Sequence, residues 1–254
     1  MTGPRFTQVA AELRERISLG DYGDSGALES ESALGKRYGV SRITVRRALE
    51  QLRDEGLVSS RKGAGWYVAG GTFHQPVALG TFQHAASAVA EAGLRLRRRV
   101  VEFGFLELPG DIAETLDLAA GDEALRVRSV RTADLTPLDA VTEWVPAQVA
   151  GHVSRADAEE IGIWETLRRH GTKISTVRQT IAAVAASEDT AALLGVHPGV
   201  PLLLVRRIAL DADGGPLALS NHRYLGHRFR LDVEFRGWPG TAATEPPGLS
   251  MGES

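Results

Sequence analysis

The segment GVSRITVRRALEQL, residues 39–52, combines a helical pattern with a concentration of arginine. Its apolar side chains recur at intervals of three and four residues, which is typical of a helix that buries one face. The predicted buried face consists of Val45, Ala48, Leu49 and Leu52. Ser41 is a favourable N-cap residue, so we expect the helix to begin there. Arg42, Arg46 and Arg47 then crowd the first turns, which indicates an anionic partner for this end of the helix.

Two further helices and a hairpin surround this segment. Apolar spacing predicts a first helix over residues 6–20. Ser30 is expected to cap a second helix that runs to Tyr38 and ends at Gly39. The β-prone runs LVSSRKG and GWYVAG flank a turn at residues 63–65, which predicts a hairpin directly after the third helix. The sequence therefore predicts a winged helix-turn-helix domain.

Such an arrangement has a known mode of binding to double-stranded DNA. An α-helix fits the major groove, and the residues of its N-terminal turns meet base edges and phosphates. A glycine at the wing tip lets the backbone approach the minor groove. The candidate DNA-binding residues are Ser32, Ser41, Arg42, Thr44, Arg46, Arg47 and Gly63. Arg47 and Arg53 have an alternative, an ion pair with a neighbouring acid on the helix surface, and for Arg53 we favour the ion pair.

Composition and charge limit the class of protein and the kind of partner. The chain has 254 residues and a net charge of −3, yet residues 36–62 are strongly basic, so an anionic partner is expected for that region only. A solvated charged face is the alternative interpretation of charge alone. There is no cysteine and no apolar run approaching the ~20 residues that span a bilayer. We expect a cytoplasmic protein that contacts no membrane and has no cofactor or metal site.

The chain changes character after the hairpin. Residues 70–76 are expected to form a linker, because glycines and a proline occur there without periodicity. Residues 77–237 alternate helical and β-rich stretches, and LDADGGPLAL predicts a hairpin within them. This pattern favours an α+β fold whose second domain has a mostly antiparallel sheet. Residues 238–254 are rich in Pro, Gly and Ser and are expected to form a disordered tail.

The predicted DNA-binding domain comprises residues 1–69, and residues 6–69 of it resemble a known family. The segments QVAAELRERISLGDY, SESALGKRYGVSRITVRRALEQLRDEGLV and GAGWYV resemble the winged helix of the GntR family of bacterial transcription regulators. The resemblance implies that Arg42 and Arg46 contact the operator, that Ser41 and Thr44 contact phosphate or bases, and that Gly63 enters the minor groove. Glu29 replaces a proline common in the family and is expected to place an anion near the DNA.

The second part of the chain resembles the UTRA effector domain of the HutC subfamily, whose fold is similar to that of chorismate lyase. The segments VRTADLTPLDAVTEWVP, GIWETLRRHGTKIS and AALLGVHPGVPLLLVRRIALDADGGPLALSNHRYLGHRFR carry this resemblance. It implies a C-terminal chorismate-lyase-like α/β domain that binds a small acidic effector. The candidate effector-binding residues are Arg131, Glu143, Trp164, Tyr224 and Ser129. Val141 takes the position of the family's glutamate, and Glu143 lies two residues further on, where alternation places it on the same strand face.

The implied anion clamp is weaker than the family's. Ser129 stands where the first arginine of a pair is common, so Arg131 is the only arginine left of that pair. Trp144 and Trp164 are expected to add apolar area. We therefore expect a flat or apolar effector with a single acidic group rather than a sugar phosphate. The alternatives are core packing for both tryptophans and a structural salt bridge for Arg131.

A run of three arginines, Arg97 to Arg99, remains outside these sites. A second DNA contact is conceivable. Side chains alternate between the faces of a strand, however, so we favour a solvated strand.

Three functions are compatible with this sequence. The leading hypothesis is a ligand-responsive repressor that binds a palindromic operator as a homodimer and is released by a small acidic effector. A ligand-independent regulator with a vestigial sensor domain is the second. An enzyme of the lyase type is the third, and we do not expect one, because the sequence shows no nucleophile–His–acid arrangement and no metal-ligand cluster.

Overall fold

The computed structural model describes residues 4–23, 25–69, 73–77, 93–134, 136–226 and 229–233. The predicted tail over 238–254 lies outside these residues, as do the first residues of the predicted linker, 70–72. Both remain predictions.

Three helices and a hairpin form the N-terminal head, residues 4–69. Its elements are α1 (Arg5–Leu19), α2 (Glu31–Tyr38), α3 (Arg42–Asp54), β1 (Val58–Arg61) and β2 (Gly65–Val68). Ser30 and Ser41 cap α2 and α3 by accepting hydrogen bonds from the amides of Ala33 and Thr44. Gly39 ends α2 in the left-handed conformation, with φ of 62°. The helices, caps and hairpin predicted for this segment are therefore confirmed.

The head has its own core. All four predicted core residues of α3 are fully buried, and they pack with Leu13 of α1 and Leu34 of α2. Each leucine so buried contributes about 1.5–3 kcal/mol of burial free energy. The apolar face of α3 is thereby fixed against α1 and α2, and its arginine face is left to the solvent.

An antiparallel sheet of six strands forms the second domain in the described part of the chain. Its strands are β4 (Leu96–Glu107), β5 (Glu123–Ala133), β6 (Thr136–Pro146), β7 (Thr176–Ala185), β8 (Pro201–Leu210) and β9 (Pro216–Leu225). Their order across the sheet is β4-β5-β6-β9-β8-β7, and every neighbouring pair is antiparallel. The predicted α+β class with a mostly antiparallel sheet is confirmed.

Short helices cover both faces of this sheet. They are α4 (Gly110–Thr115), α5 (Ala147–Ala150), α6 (Arg155–Glu160), α7 (Ile163–Arg169) and α8 (Glu188–Leu194). Residues of α6 and α7 pack on one face with Leu125 and Val127 of β5. Residues of α4 and α8 pack on the other face, against Trp144 and Ala140 of β6 respectively. Alternation along β5 and β6 therefore sends neighbouring side chains into two different environments.

A small parallel pair connects distant parts of the chain. β3 (Phe73–Val77) pairs with β10 (Phe229–Val233), so the end of the second domain returns to the segment that follows the head. β3 begins within the segment assigned to a linker from its composition. Its strand partner lies far away in sequence, and composition carries no signal for such a pairing.

Candidate DNA-binding surface and effector cavity

The outer face of α3 presents two arginines to the solvent. The side chains of Arg42 and Arg46 are 70% and 58% exposed. The hydroxyls of Ser41 and Thr44 lie 2.9 Å apart at the start of the same helix. Since the opposite face of α3 is buried, these groups form the part of the helix that a duplex can reach.

One carboxylate holds both arginines. Arg46 donates two hydrogen bonds to Glu31 of α2, Nε to Oε1 at 3.1 Å and a terminal nitrogen to Oε2 at 2.9 Å. Arg42 lies 3.5 Å from the same carboxylate, and the indole nitrogen of Trp66 in the wing donates to it at 3.3 Å. The Arg46 hydrogen bond is the main cause that lowers the pKa of Glu31. Glu31 thus joins α2, α3 and the wing.

Glu29 is paired within the head. Its carboxylate accepts hydrogen bonds from Arg16 at 3.0 Å and from Arg37 at 3.4 Å, so its charge is balanced by residues of α1 and α2. The acid beside Arg42 and Arg46 of α3 is Glu31. That Glu29 places an anion near the DNA stays a prediction.

The remaining candidates of the head lie on the same surface or at its edge. Arg47 lies over the ring of Phe6 at 4.4 Å, a cation–π contact rather than the ion pair offered as its alternative. Arg53 pairs with Asp54 at 3.2 Å, as favoured from the sequence. Ser32 is exposed in the first turn of α2. Gly63 has φ of 77°, and no atom lies within 4 Å of a Cβ added there, so the wing tip is open.

Sequence reasoning missed Ile43. This side chain is 75% exposed between the arginines of α3. An apolar side chain among cations that face a major groove can contact a thymine methyl group. The sequence does contain a signal for its exposure. Ile43 does not fit the spacing of three and four residues that relates the buried residues of α3.

A cavity of about 410 Å³ lies in the second domain, between the sheet and the segment that joins α6 to α7. Its polar lining includes Arg98, Arg131, Glu143, Arg207, Ser220 and His222, and Trp164 adds an aromatic wall. These side chains come from β4, β5, β6, β8, β9 and α7. The sheet thus brings together residues from across the second domain.

Arg131 is fully engaged within the protein. It donates to both oxygens of Asp139, at 2.8 and 2.6 Å, and to the hydroxyl of Tyr224 at 2.9 Å. Burial alone would raise the pKa of Asp139, but the charge of Arg131 and a hydrogen bond from His222 hold it well below its usual range. The salt bridge offered as the alternative for Arg131 is present, although the guanidinium also lines the cavity.

His222 completes this buried group in its neutral form. Its Nδ1 lies 3.0 Å from Asp139 and 3.1 Å from Arg131. Burial is the main cause that lowers the pKa of His222, to about 3. A neutral imidazole therefore borders the cavity over the physiological pH range.

Arg98 supplies a second arginine to the cavity, although the sequence favours a solvated position for it. It lies directly opposite Arg131 across β4 and β5 and donates to Glu143 at 2.9 Å. The preference for a solvated strand was therefore wrong for Arg98, whereas Arg97 and Arg99 are exposed on the other face. Gly162 leaves room for it, since an added Cβ would lie 3.1 Å from the Arg98 guanidinium.

Two buried serines lie near these charges. Ser220 lines the cavity and Ser129 lies beneath it, and neither hydroxyl has a hydrogen-bond partner within the described residues. Arg207 donates to the amide oxygen of Gln179 at 2.8 Å, and burial lowers its pKa. An unsatisfied buried hydroxyl costs about 1–3 kcal/mol, which a ligand atom in the cavity recovers.

The five candidate effector-binding residues fall into two groups. Arg131, Glu143 and Trp164 line the cavity. Ser129 and Tyr224 are fully buried behind it, and the Tyr224 ring stacks on Phe229 with 3.6 Å between centroids.

The expectation that both tryptophans add apolar area to the effector site is wrong for Trp144. This residue packs with Leu108, Ile112 and Leu219 on the opposite face of the sheet. Core packing was the alternative given for it. Only the strand register, which the sequence does not show, separates the two faces.

Metal-binding groups and membrane-spanning helices were both absent from the described part of the chain. No group of three or more His, Cys, Asp or Glu residues there could hold a metal ion. No helix there is long and apolar enough to cross a membrane.

A winged helix-turn-helix joined to a second domain is an arrangement typical of DNA-binding regulators. Residues 6–68 match the gntR family of bacterial regulatory proteins, and residues 91–230 match the UTRA domain. The chain therefore belongs to the GntR family and carries a UTRA domain. It is a transcription regulator.

Two relatives of known class align with nearly the whole length of this chain. The chain is 33% identical over 248 residues to the HTH-type transcriptional regulator Rv0792c of Mycobacterium tuberculosis, covering 94% of this chain and 89% of the relative. It is 25% identical over 227 residues to the HTH-type transcriptional repressor NagR of Bacillus subtilis, covering 89% and 92%. The crystal structure of PhnF from Mycobacterium smegmatis superposes with a TM-score of 0.58 at 26% identity, covering 91% of this chain and all of that one.

Proposed function

We propose that the protein is a repressor that binds a two-fold-symmetric operator as a homodimer and releases it when a small acidic effector enters the cavity. Two relatives, NagR and the PhnF protein of Mycolicibacterium smegmatis, are named transcriptional repressors, which supports the direction of control. A dimer places two copies of α3 about one helical turn apart on the duplex.

The DNA-binding half of the proposal rests on the arginine face of α3. Arg42 and Arg46 lie at its exposed N-terminal end, where bidentate contact with guanine or pairing with phosphate is possible. Binding requires both arginines to leave Glu31, or Glu31 to follow them, because their guanidiniums are engaged with its carboxylate in the absence of DNA.

The proposal that an effector binds the cavity rests on one observation. The buried hydroxyl of Ser220 has no hydrogen-bond partner among the described residues, and arginine side chains line the same cavity. A carboxylate that accepts from this hydroxyl and from Arg98 gains a charge-assisted hydrogen bond from the guanidinium. Trp164 offers an aromatic wall to the rest of the molecule. A flat ligand with one acidic group fits this combination.

A ligand-independent regulator is the second candidate, and one feature favours it. Arg98 and Arg131 are each paired with a carboxylate of the protein, so the cavity holds its arginines without a ligand. The two candidates differ in whether any small acid changes operator binding.

The experiment combines fluorescence anisotropy with thermal denaturation of the full chain. Duplexes are taken from DNA adjoining the protein's own gene, and benzoate and other small monocarboxylates are compared with glucose 6-phosphate. We expect a monocarboxylate to raise the melting temperature and weaken operator binding, through a coupling of about 1–3 kcal/mol. Stabilisation by micromolar glucose 6-phosphate would overturn the effector class. Unchanged operator binding with every acid would favour the ligand-independent regulator.

A further inference from the structure

A second cluster of arginines lies on the face of the sheet opposite the cavity. Side chains that point to this face include Arg126 and Arg128 of β5, Arg206 of β8 and Arg223 of β9. α4 and α8 cover this face on either side, and between them a groove of about 270 Å³ remains open. We call it the arginine groove, and its lining includes Arg126, Arg128, Thr142, Trp144, Ser187 and Arg223.

Two of these arginines are satisfied by carboxylates. Arg126 and Arg128 both donate to Glu102 of β4, the latter at 2.6 Å, and Arg128 also pairs with Asp189 at the start of α8. Asp189 is 65% exposed at the mouth of the groove. These contacts hold the two guanidiniums in place on the floor.

Arg223 is different. In the part of the chain that the structure describes, its guanidinium makes neither a hydrogen bond nor an ion pair, although the side chain is half-buried. Burial, followed by repulsion from Arg128 and Arg206, lowers its pKa, while Asp189 acts in the opposite sense. A partly desolvated cation held among other cations destabilises the empty groove and favours an anion within it.

We propose that the arginine groove is a second ligand site, for a small molecule that carries at least two negative charges. Three arginines line the groove, Arg126, Arg128 and Arg223, and a fourth, Arg206, lies beside Arg223. Two carboxylates, Glu102 and Asp189, face them, which leaves an excess of two positive charges at the groove and its border. The hydroxyl of Thr142 and the indole of Trp144 border the same space. The small volume between two helices suits a phosphate ester or a dicarboxylate better than a polymer.

This site differs from the effector cavity in its residues and in its charge. The cavity lies on the other face of the sheet, and its Arg98 and Arg131 are each paired with a carboxylate, Glu143 or Asp139. The proposal does not depend on the function proposed above, since it concerns the second domain of the free protein and is tested without DNA.

The test titrates the full chain with pyrophosphate and, separately, with citrate at constant ionic strength, followed by calorimetry and thermal denaturation. We expect saturable binding of at least one of them and a raised melting temperature. Arg223→Gln should weaken this binding about tenfold or more, the loss of one charge-assisted pair. Pyrophosphate and citrate separate a phosphate ligand from a carboxylate ligand.

Arg97→Gln is the matched control, because it removes one positive charge from an exposed arginine on the same sheet face but outside the groove. It should bind both anions like the unaltered protein. Without ligand, Arg223→Gln should melt at the same temperature or higher, since a repelled and desolvated cation is lost. A purely structural role for Arg223 predicts a lower melting temperature.

Arg126→Gln is a second variant for the case that Arg223→Gln does not fold, since Glu102 keeps its contact with Arg128. The proposal is overturned if neither anion binds saturably, or if Arg97→Gln and Arg223→Gln weaken binding equally. It is also overturned if Arg223→Gln leaves anion binding intact but weakens binding of duplex DNA, which would make the groove a nucleic-acid surface.

Discussion

Glu31 of α2 accepts two hydrogen bonds from Arg46 of α3, at 3.1 and 2.9 Å. In the absence of DNA, this carboxylate therefore occupies hydrogen-bond donors of the Arg46 guanidinium. The same carboxylate receives the indole N–H of Trp66 and lies 3.5 Å from Arg42. It presents to these side chains the kind of acceptor that a phosphate or a guanine edge offers. DNA binding therefore exchanges one set of arginine contacts for another.

This exchange predicts the effect of Glu31→Gln. Removing the carboxylate frees both arginines and removes a negative charge from the binding face, so affinity for any duplex should rise several-fold at low salt. The orientation of Arg46 is lost with it, so the ratio of specific to non-specific affinity should fall. Fluorescence anisotropy with operator and unrelated duplexes measures both.

Glu12→Gln is the matched control for that substitution. Glu12 is exposed on α1, and its replacement changes the net charge equally without touching the arginine face. If the two variants bind every duplex alike, Glu31 acts only through overall charge and the exchange does not occur.

The cavity predicts a distinct result for Arg98→Gln. Loss of this guanidinium leaves Glu143 unpaired at the cavity wall, which should abolish stabilisation by the acidic effector while leaving operator affinity within about twofold. Thermal denaturation with and without the active monocarboxylate reports the first effect, and anisotropy reports the second.

Arg97→Gln serves as the comparison, because the adjacent side chain points to the other face of β4. It should respond to the effector like the unaltered protein. If both variants lose stabilisation by the effector equally, the effect depends on the overall positive charge of β4 and not on the side chain in the cavity.

The buried pair of Asp139 and His222 predicts acid sensitivity. The pKa of His222 is lowered to about 3, so between pH 6.5 and 3 the unfolded chain binds a proton that the folded chain does not. The free energy of unfolding should therefore fall as the pH is lowered through this window. From this residue alone the loss is about 2 kcal/mol between pH 6.5 and 5. Asp139, whose pKa is also lowered, stabilises the fold above about pH 4 and contributes no slope between pH 5 and 6.5.

Urea denaturation at pH 6.5 and 5 measures this slope, and His222→Gln should reduce it by the stated amount. A variant with the slope of the unaltered protein would show that His222 does not remain neutral in the folded state.

The head was predictable because its signals are local. Caps at Ser30 and Ser41, the glycine after α2 and the spacing of Val45, Ala48, Leu49 and Leu52 each act within a few residues. The sequence could not place Glu31 against Arg46, since that contact joins residues 15 apart through the angle between two helices.

The second domain was predictable in class but less so in its site. Alternating β-rich and helical runs indicated an antiparallel sheet. The cavity, however, depends on register, which sets Arg98 opposite Arg131 and sends Trp144 to the opposite face. Register follows from pairing between strands distant in sequence, and a shift of one residue reverses every side chain.

The central claim is that the exposed arginine end of α3 binds operator DNA. The most direct measurement is the affinity of the full chain for duplexes from DNA adjoining its own gene, with Arg42→Ala and Arg46→Ala compared with Arg53→Ala at several salt concentrations. The account predicts that each of the first two weakens operator binding by about 1–3 kcal/mol and changes base preference or salt slope, whereas Arg53→Ala, at the far end of α3, does not. Unchanged binding in both Arg42→Ala and Arg46→Ala, or no binding to any such duplex at low salt, would contradict it.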